Sequence, residues 1–268
     1  MTTTSIKHKD VTLSHGRTHY LEAGEGPPVI LLHGAGFPSG GDSWLANIPG
    51  LSSRLRVLAP DCLGWGPGDQ LEVGYSFAYL VDHVRELQDA LGLDRSHVVG
   101  HSMGGWIASL LAYESPERVD RLVLVASGGM ATRALGTMQA WRAPSEEDIR
   151  RSLSGLERAG VDVEPLVKEK VRLAEDGERA ARFSRVMEHM TNPETRARYY
   201  MARRLPHIKS PTLILWGSAD PVNNVEMAES THQLIPGSRL TVLEGVGHGV
   251  PTERVEEFNQ AVEAFLLG

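Results

Sequence analysis

A single cysteine, Cys62, occurs in the 268 residues. That excludes an intrachain disulfide and a cysteine-rich zinc site, and it suits a reducing compartment. Long apolar runs are missing too. The longest, such as "PVILLHG" and "RLVLVAS", fall far short of the ~20 residues a membrane-spanning helix requires. The opening "MTTTSIKHKD" lacks an apolar stretch of signal-peptide length. Nor is there a basic excess: a formal net charge of -7 leaves no footprint for nucleic acid. The histidines follow no metal-ligand spacing. These absences predict a cytoplasmic protein with no nucleic-acid or membrane partner and no metal; its expected partner is a small-molecule substrate. A homo-oligomer is left open.

What the sequence does hold is an alternation. The runs "PPVILLHG", "LRVLAPD", "HVVGHS", "RLVLVAS", "TLILWGS" and "RLTVLEG" are continuously apolar. Such runs fit strands buried on both faces of a parallel sheet. Helical patterns lie between them, as in "FAYLVDHVRELQDALGL". There Phe77, Leu80, Val84, Leu87 and Leu91 recur at helical spacing. The early "VTLSHGRTHYLEAG" alternates around a Gly-containing turn and predicts an antiparallel edge hairpin. From about Gly129 to Pro206 the strands stop. Charged helical patterns such as "SEEDIRRSLSGLERAG" replace them, punctuated by proline. The expected organisation is an α/β core in two parts, residues 1–128 and 207–268, with a helical lid over 129–206.

"HVVGHSMGG" is a strand, a glycine-flanked serine and then a helix, the setting of a Gly-x-Ser-x-Gly nucleophile elbow. Ser102 would be held exposed in a strained turn, with Gly100 and Gly104 leaving room for close backbone. A serine needs a base, and the base an orienting acid. His248 in "LEGVGHGVP" and Asp220 in "LILWGSADPV" each follow a strand. Parallel strands bring their C-terminal ends to one edge, so Ser102, Asp220 and His248 should converge there. The "LLHGAGFP" loop also follows a strand. Its Ala35 N–H and the Met103 N–H are the expected oxyanion donors, with Gly34 beside them in the pocket.

Other residues admit two readings. His33 is expected to shape its loop, and Asp61, the rival acid, to be structural. Trp65, Trp141, Met130 and Met138 are candidates for an apolar pocket, or for packing the lid onto the core. Arg196, Arg198, Arg203 and Arg204 are expected on the solvated face of a lid helix. Cys62 has no paired base and no expected covalent role.

With these residues assembled, the chain resembles the α/β-hydrolase superfamily. Within it, "LLHGAGFPSGGDSW", "GHSMGGWIAS" and "WGSADPV" are similar to the meta-cleavage product hydrolases, which split carbon–carbon bonds in ring-fission products. The resemblance implies a mostly parallel sheet, helices on both faces, a helical lid and a serine mechanism without cofactor. It also marks three departures. His101 stands where relatives commonly have asparagine, and Gly249 where they have tryptophan. Lys170, with Arg172 nearby, stands where a lid arginine holds the substrate dienolate. His101 and Lys170 are therefore expected in the substrate pocket. The implied reaction is carbon–carbon cleavage or ester hydrolysis. The alternatives are a cofactor-free lyase or cyclase using the same pocket, and a low-turnover ligand receptor.

Overall fold

A computed structural model describes residues 5–69, 71, 75–134 and 136–268. Eight strands form one sheet. They are β1 (Lys7–Leu13), β2 (Gly16–Ala23), β3 (Pro28–Leu32), β4 (Arg56–Pro60), β5 (Ser96–His101), β6 (Val119–Val125), β7 (Thr212–Gly217) and β8 (Arg239–Leu243), in the order β1-β2-β4-β3-β5-β6-β7-β8. β1 and β2 make the expected antiparallel hairpin, and β2 runs antiparallel to β4. Every other pairing is parallel.

Successive strand residues point to opposite faces, so a run apolar at every position has to fill two cores. That is the arrangement seen. Ile30, Leu32, Leu58, Val98, Leu122, Leu124 and Ile214 pack on one face. Their chain neighbours Val29, Leu31, Val57, Val99, Val123, Val125 and Leu213 pack on the other. Burying each such side chain contributes about 1.5–3 kcal/mol. Helix α1 (Phe77–Ala90) covers the first face, and its N-cap Ser76 accepts the Tyr79 N–H at 3.3 Å. Phe77, Leu80, Val84 and Leu87 are its buried stripe. Helix α2 (Met103–Glu114) lies beside it and is buried along nearly its whole length.

Between β6 and β7 the described residues form helices and no strand. The main ones are α3 (Glu146–Arg158), α4 (Glu164–Glu175), α5 (Gly177–Thr191) and α6 (Pro193–Arg198). Their starts are written locally: Ser145 and Asp148 form a capping box, Asp176 caps α5, and Asn192 with Pro193 opens α6. Ile149, Leu153 and Leu156 of α3 pack with Val163 and Val167 as a satellite core. Phe183 of α5 anchors the segment to the sheet domain through Phe37 and Trp65, with Trp141 of the same segment packed beside it, ring centroids 4.5–5.1 Å away. After β7 come α7 (Val225–Leu234) and, beyond β8, α8 (Val255–Leu267), whose Phe258 and Val262 cover the second face. Among the described residues, no helix is long and apolar enough to cross a membrane.

Candidate active site

Ser102 sits between β5 and α2 with φ 54° and ψ -113°. An L-residue held in such a conformation costs on the order of 1–3 kcal/mol, which the surroundings must offset. Three backbone hydrogen bonds do so. Ser102 N–H donates to the Val125 carbonyl at 2.9 Å, while its carbonyl accepts from Trp106 N–H at 3.2 Å and Gly128 N–H at 2.8 Å. The flanking glycines serve by what they lack. A Cβ at Gly100 would lie 2.3 Å from the Gly104 carbonyl oxygen, and one at Gly104 only 2.2 Å from the Leu32 oxygen. Glycine at both positions lets α2 seat directly against β5 and the loop after β3.

Asp220 follows β7 and His248 follows β8. Asp220 Oδ2 accepts from His248 Nδ1 at 2.7 Å, and its Oδ1 accepts the N–H groups of Val222 at 2.8 Å and Asn223 at 3.0 Å. Burial opposes the charge of this carboxylate, yet those bonds outweigh it and hold its pKa below the ordinary value. A proton held at Nδ1 leaves His248 Nε2 as the free lone pair. Asn223 steadies the acid loop further, donating from Nδ2 to the Ala126 carbonyl at 2.8 Å. Sequence reading passed over this residue, although an Asp receiving the N–H groups two and three residues on is a legible turn.

The loop after β3 is fixed by His33. Its Nε2 accepts the Cys62 N–H at 2.8 Å, so Nδ1 carries the proton and donates to the Gly34 carbonyl at 2.7 Å. Full burial pushes its pKa down to about 4, which keeps the ring neutral in this role. Neither the Ala35 nor the Met103 N–H has a hydrogen-bond partner among the described residues. Both residues line one cavity with Ser102 and His248. Ser102 Oγ likewise has no hydrogen-bond partner there; rotation about one side-chain bond separates it from other staggered positions. His101 lines the same cavity, and its Nε2 donates to the His248 carbonyl at 2.8 Å. Burial lowers its pKa to about 3, so the ring presents an unprotonated Nδ1.

The cavity measures about 660 Å³ and is lined by Gly34, Met130, Met138 and Met190, among others. Three pocket expectations need correction. Lys170 does not reach it: Nζ lies 2.6 Å from Asp42 Oδ2 and donates to the Pro38 carbonyl at 3.1 Å. Trp65 is buried between His33 and Phe183, and Trp141 packs on Phe37 and Phe183. Both tryptophans join the helical segment to the core and neither lines the cavity. Arg196 is the opposite case: expected in solvent, it is buried and lines the cavity, while Arg198 and Arg203 are exposed. Asp61 does not touch His248; its Oδ1 accepts the Gly41 N–H at 2.8 Å. Burial raises the Cys62 thiol pKa far above its usual range, in keeping with no covalent role. No group of three or more potential metal ligands occurs among the described residues.

Residues 27–254 match the family model of the alpha/beta hydrolase fold. The chain is 32% identical to a 2-hydroxymuconate semialdehyde hydrolase of Pseudomonas putida, over 96% of this chain and 93% of that protein. It resembles the crystal structure of a meta-cleavage product hydrolase from Pseudomonas fluorescens, with TM-score 0.81, 30% identity and 96% of each chain covered. A bacterial membrane phospholipase A is also similar, with TM-score 0.81 and 27% identity over 97% of this chain and 86% of that one. By its sequence match and its sheet topology alike, the chain belongs to the α/β-hydrolase family and is a hydrolase.

Proposed function

We propose that the protein is a serine hydrolase acting on a small carbonyl substrate, with Ser102 as nucleophile. The observation that carries this reading is the pairing of a 2.7 Å Asp220–His248 bond with a strained serine in the same cavity. His248 Nε2 takes the Ser102 hydroxyl proton as Oγ adds to the carbonyl carbon. Asp220 holds the imidazole tautomer and stabilises the imidazolium. The Ala35 and Met103 N–H groups receive the oxyanion, the second at the positive end of α2. His248 then gives its proton to the leaving group, and water reverses the sequence on the acyl-enzyme.

Two substrate classes suit this machinery, an ester and a ring-fission product. The Asp42–Lys170 pair takes up the cation expected to hold a dienolate, although the cavity keeps Arg196 and Arg133. The named functions of the relatives favour carbon–carbon cleavage of a ring-fission product. Ser102→Ala and His248→Ala, assayed on a p-nitrophenyl ester and on a ring-fission dienoate, should each lose roughly 10⁶-fold in turnover. Retention of wild-type rates on whichever substrate is turned over would exclude Ser102 as the nucleophile.

A further inference from the structure

Two cations are buried among the described residues, and the fold treats them in opposite ways. Lys170 is 3% exposed and paired with Asp42. Arg196 is 6% exposed, and no carboxylate lies within ion-pair distance of it among the described residues. Its Nη1 donates to the Met190 carbonyl at 2.9 Å, and its guanidinium carbon lies 5.3 Å from the centre of the Trp106 ring. Nε is shut off from solvent without an acceptor, and Nη2 has no acceptor in the protein either. An Nε closed to water is closed to a ligand oxygen as well, so Nη2 is the donor left to meet a carboxylate. An uncompensated buried charge is costly, by several kcal/mol after relaxation. Burial accordingly lowers the Arg196 pKa.

The location gives this feature its meaning. Arg196 lines the Ser102 cavity, and so does Arg133; among the described residues no aspartate or glutamate does. The cavity thus carries positive charge, from buried Arg196 and exposed Arg133, in a chain whose net charge is -7. Trp106, which carries the guanidinium on its face, is one helical turn beyond Ser102 and bonds to its carbonyl. The cation therefore stands beside the first turn of α2, in the same cavity as Ser102. The remaining lining is rich in methionine: Met130, Met138, Met187, Met190 and Met227.

We propose that Arg196 is an anion subsite of this cavity, selecting substrates whose carboxylate lies remote from the bond that is cleaved, across an apolar spacer. The substrate class is then a half-ester, or an equivalent acyl compound, of a dicarboxylic acid. This rests on the serine hydrolase reading for its kinetics, but binding tests it separately. A purely structural Arg196, closing the end of α5 through the Met190 carbonyl, is the competing explanation.

The test compares p-nitrophenyl hydrogen adipate with p-nitrophenyl hexanoate, esters of matched chain length and leaving group. Wild type should prefer the acid ester. Arg196→Met should lower the acid-to-neutral ratio of kcat/KM by about 10- to 100-fold, mainly through KM, as expected for loss of a charged hydrogen bond. Arg196→Lys should restore part of it. A structural arginine would depress both esters together and leave the ratio unchanged, which would overturn the proposal, as would a wild type indifferent to the carboxylate. Adipate binding to Ser102→Ala, read by calorimetry, supplies the arm that needs no turnover. Binding there, lost on adding Arg196→Met and partly kept on adding Arg196→Lys, supports the subsite even if neither ester is hydrolysed; no binding overturns it. If the methionine variant does not fold, Arg196→Lys and Arg196→Gln carry the same comparison.

Discussion

Asp61 and Asp220 are both aspartates just past the end of a strand, and their neighbours give them opposite chemistry. Asp220 receives three hydrogen bonds and keeps its charge. Asp61 has one, from the Gly41 N–H, and its Oδ2 is buried without a partner. Burial first, and the nearby Asp42 charge as well, raise its pKa to about 7 from an ordinary 3.8. Between those values the folded chain holds a proton that the unfolded chain has released. Stability then falls as pH rises, by about 1.4 kcal/mol per unit. An asparagine has no such linkage. Asp61→Asn should therefore raise the melting temperature, relative to wild type, more at pH 8 than at pH 5. An equal difference at both values would show that the carboxyl is not proton-linked to folding.

At the scale of elements, the site depends on how closely α2 approaches the loop after β3. The Gly104 position is where they meet: an added Cβ would lie 2.2 Å from the Leu32 oxygen and 2.7 Å from the His33 oxygen. Backbone atoms cannot rotate away as a side chain would, so the helix start or the oxyanion loop has to move. Gly104→Ala should destabilise by about 1–3 kcal/mol, a typical overpacking cost. It should also slow acylation by a fluorophosphonate, since Ala35 and Met103 would no longer face the same point. Thermal melting and labelling rate check the two effects. Wild-type labelling in a destabilised protein would remove the Met103 N–H from the oxyanion hole. The glycine pattern was legible because it answers to local backbone crowding. The docking of α3–α6 was not, because an apolar stripe states that a face is buried and not against what.

For the molecule as a whole, buried neutral histidines should set its behaviour in acid. Burial lowers His33 to about 4, and His83 and His101 to about 3, from 6.5. Between about pH 4 and 6.5 the unfolded chain binds protons at all three that the folded chain refuses. Their contribution is complete above pH 6.5 and is lost as pH falls towards 4. Asp61 acts in the opposite sense over the same window, but burial also lowers His15, His19, His97 and His189, so unfolding there should take up protons on balance. Melting temperature should drop steeply below pH 6, and calorimetry in buffers of different ionisation heat can count the protons. A flat profile from pH 7 to 4.5 would contradict the buried neutral state of these rings.

The sequence by itself determined the strands, the edge hairpin and the placing of Ser102, Asp220 and His248 on one rim of the sheet. Period, glycine crowding and strand ends are properties of neighbouring residues, and they are written where they act. Tertiary structure decided what lies beyond that rim. Lys170 met Asp42 across the α4 contact and was neutralised, while Trp65 and Trp141 were taken up in packing around Phe183. Arg196, which has a charged helical neighbourhood in sequence, turned inward onto Trp106, 90 residues away. A side chain's charge is fixed by its type, but whether that charge is answered depends on contacts between distant segments, and only the fold makes those.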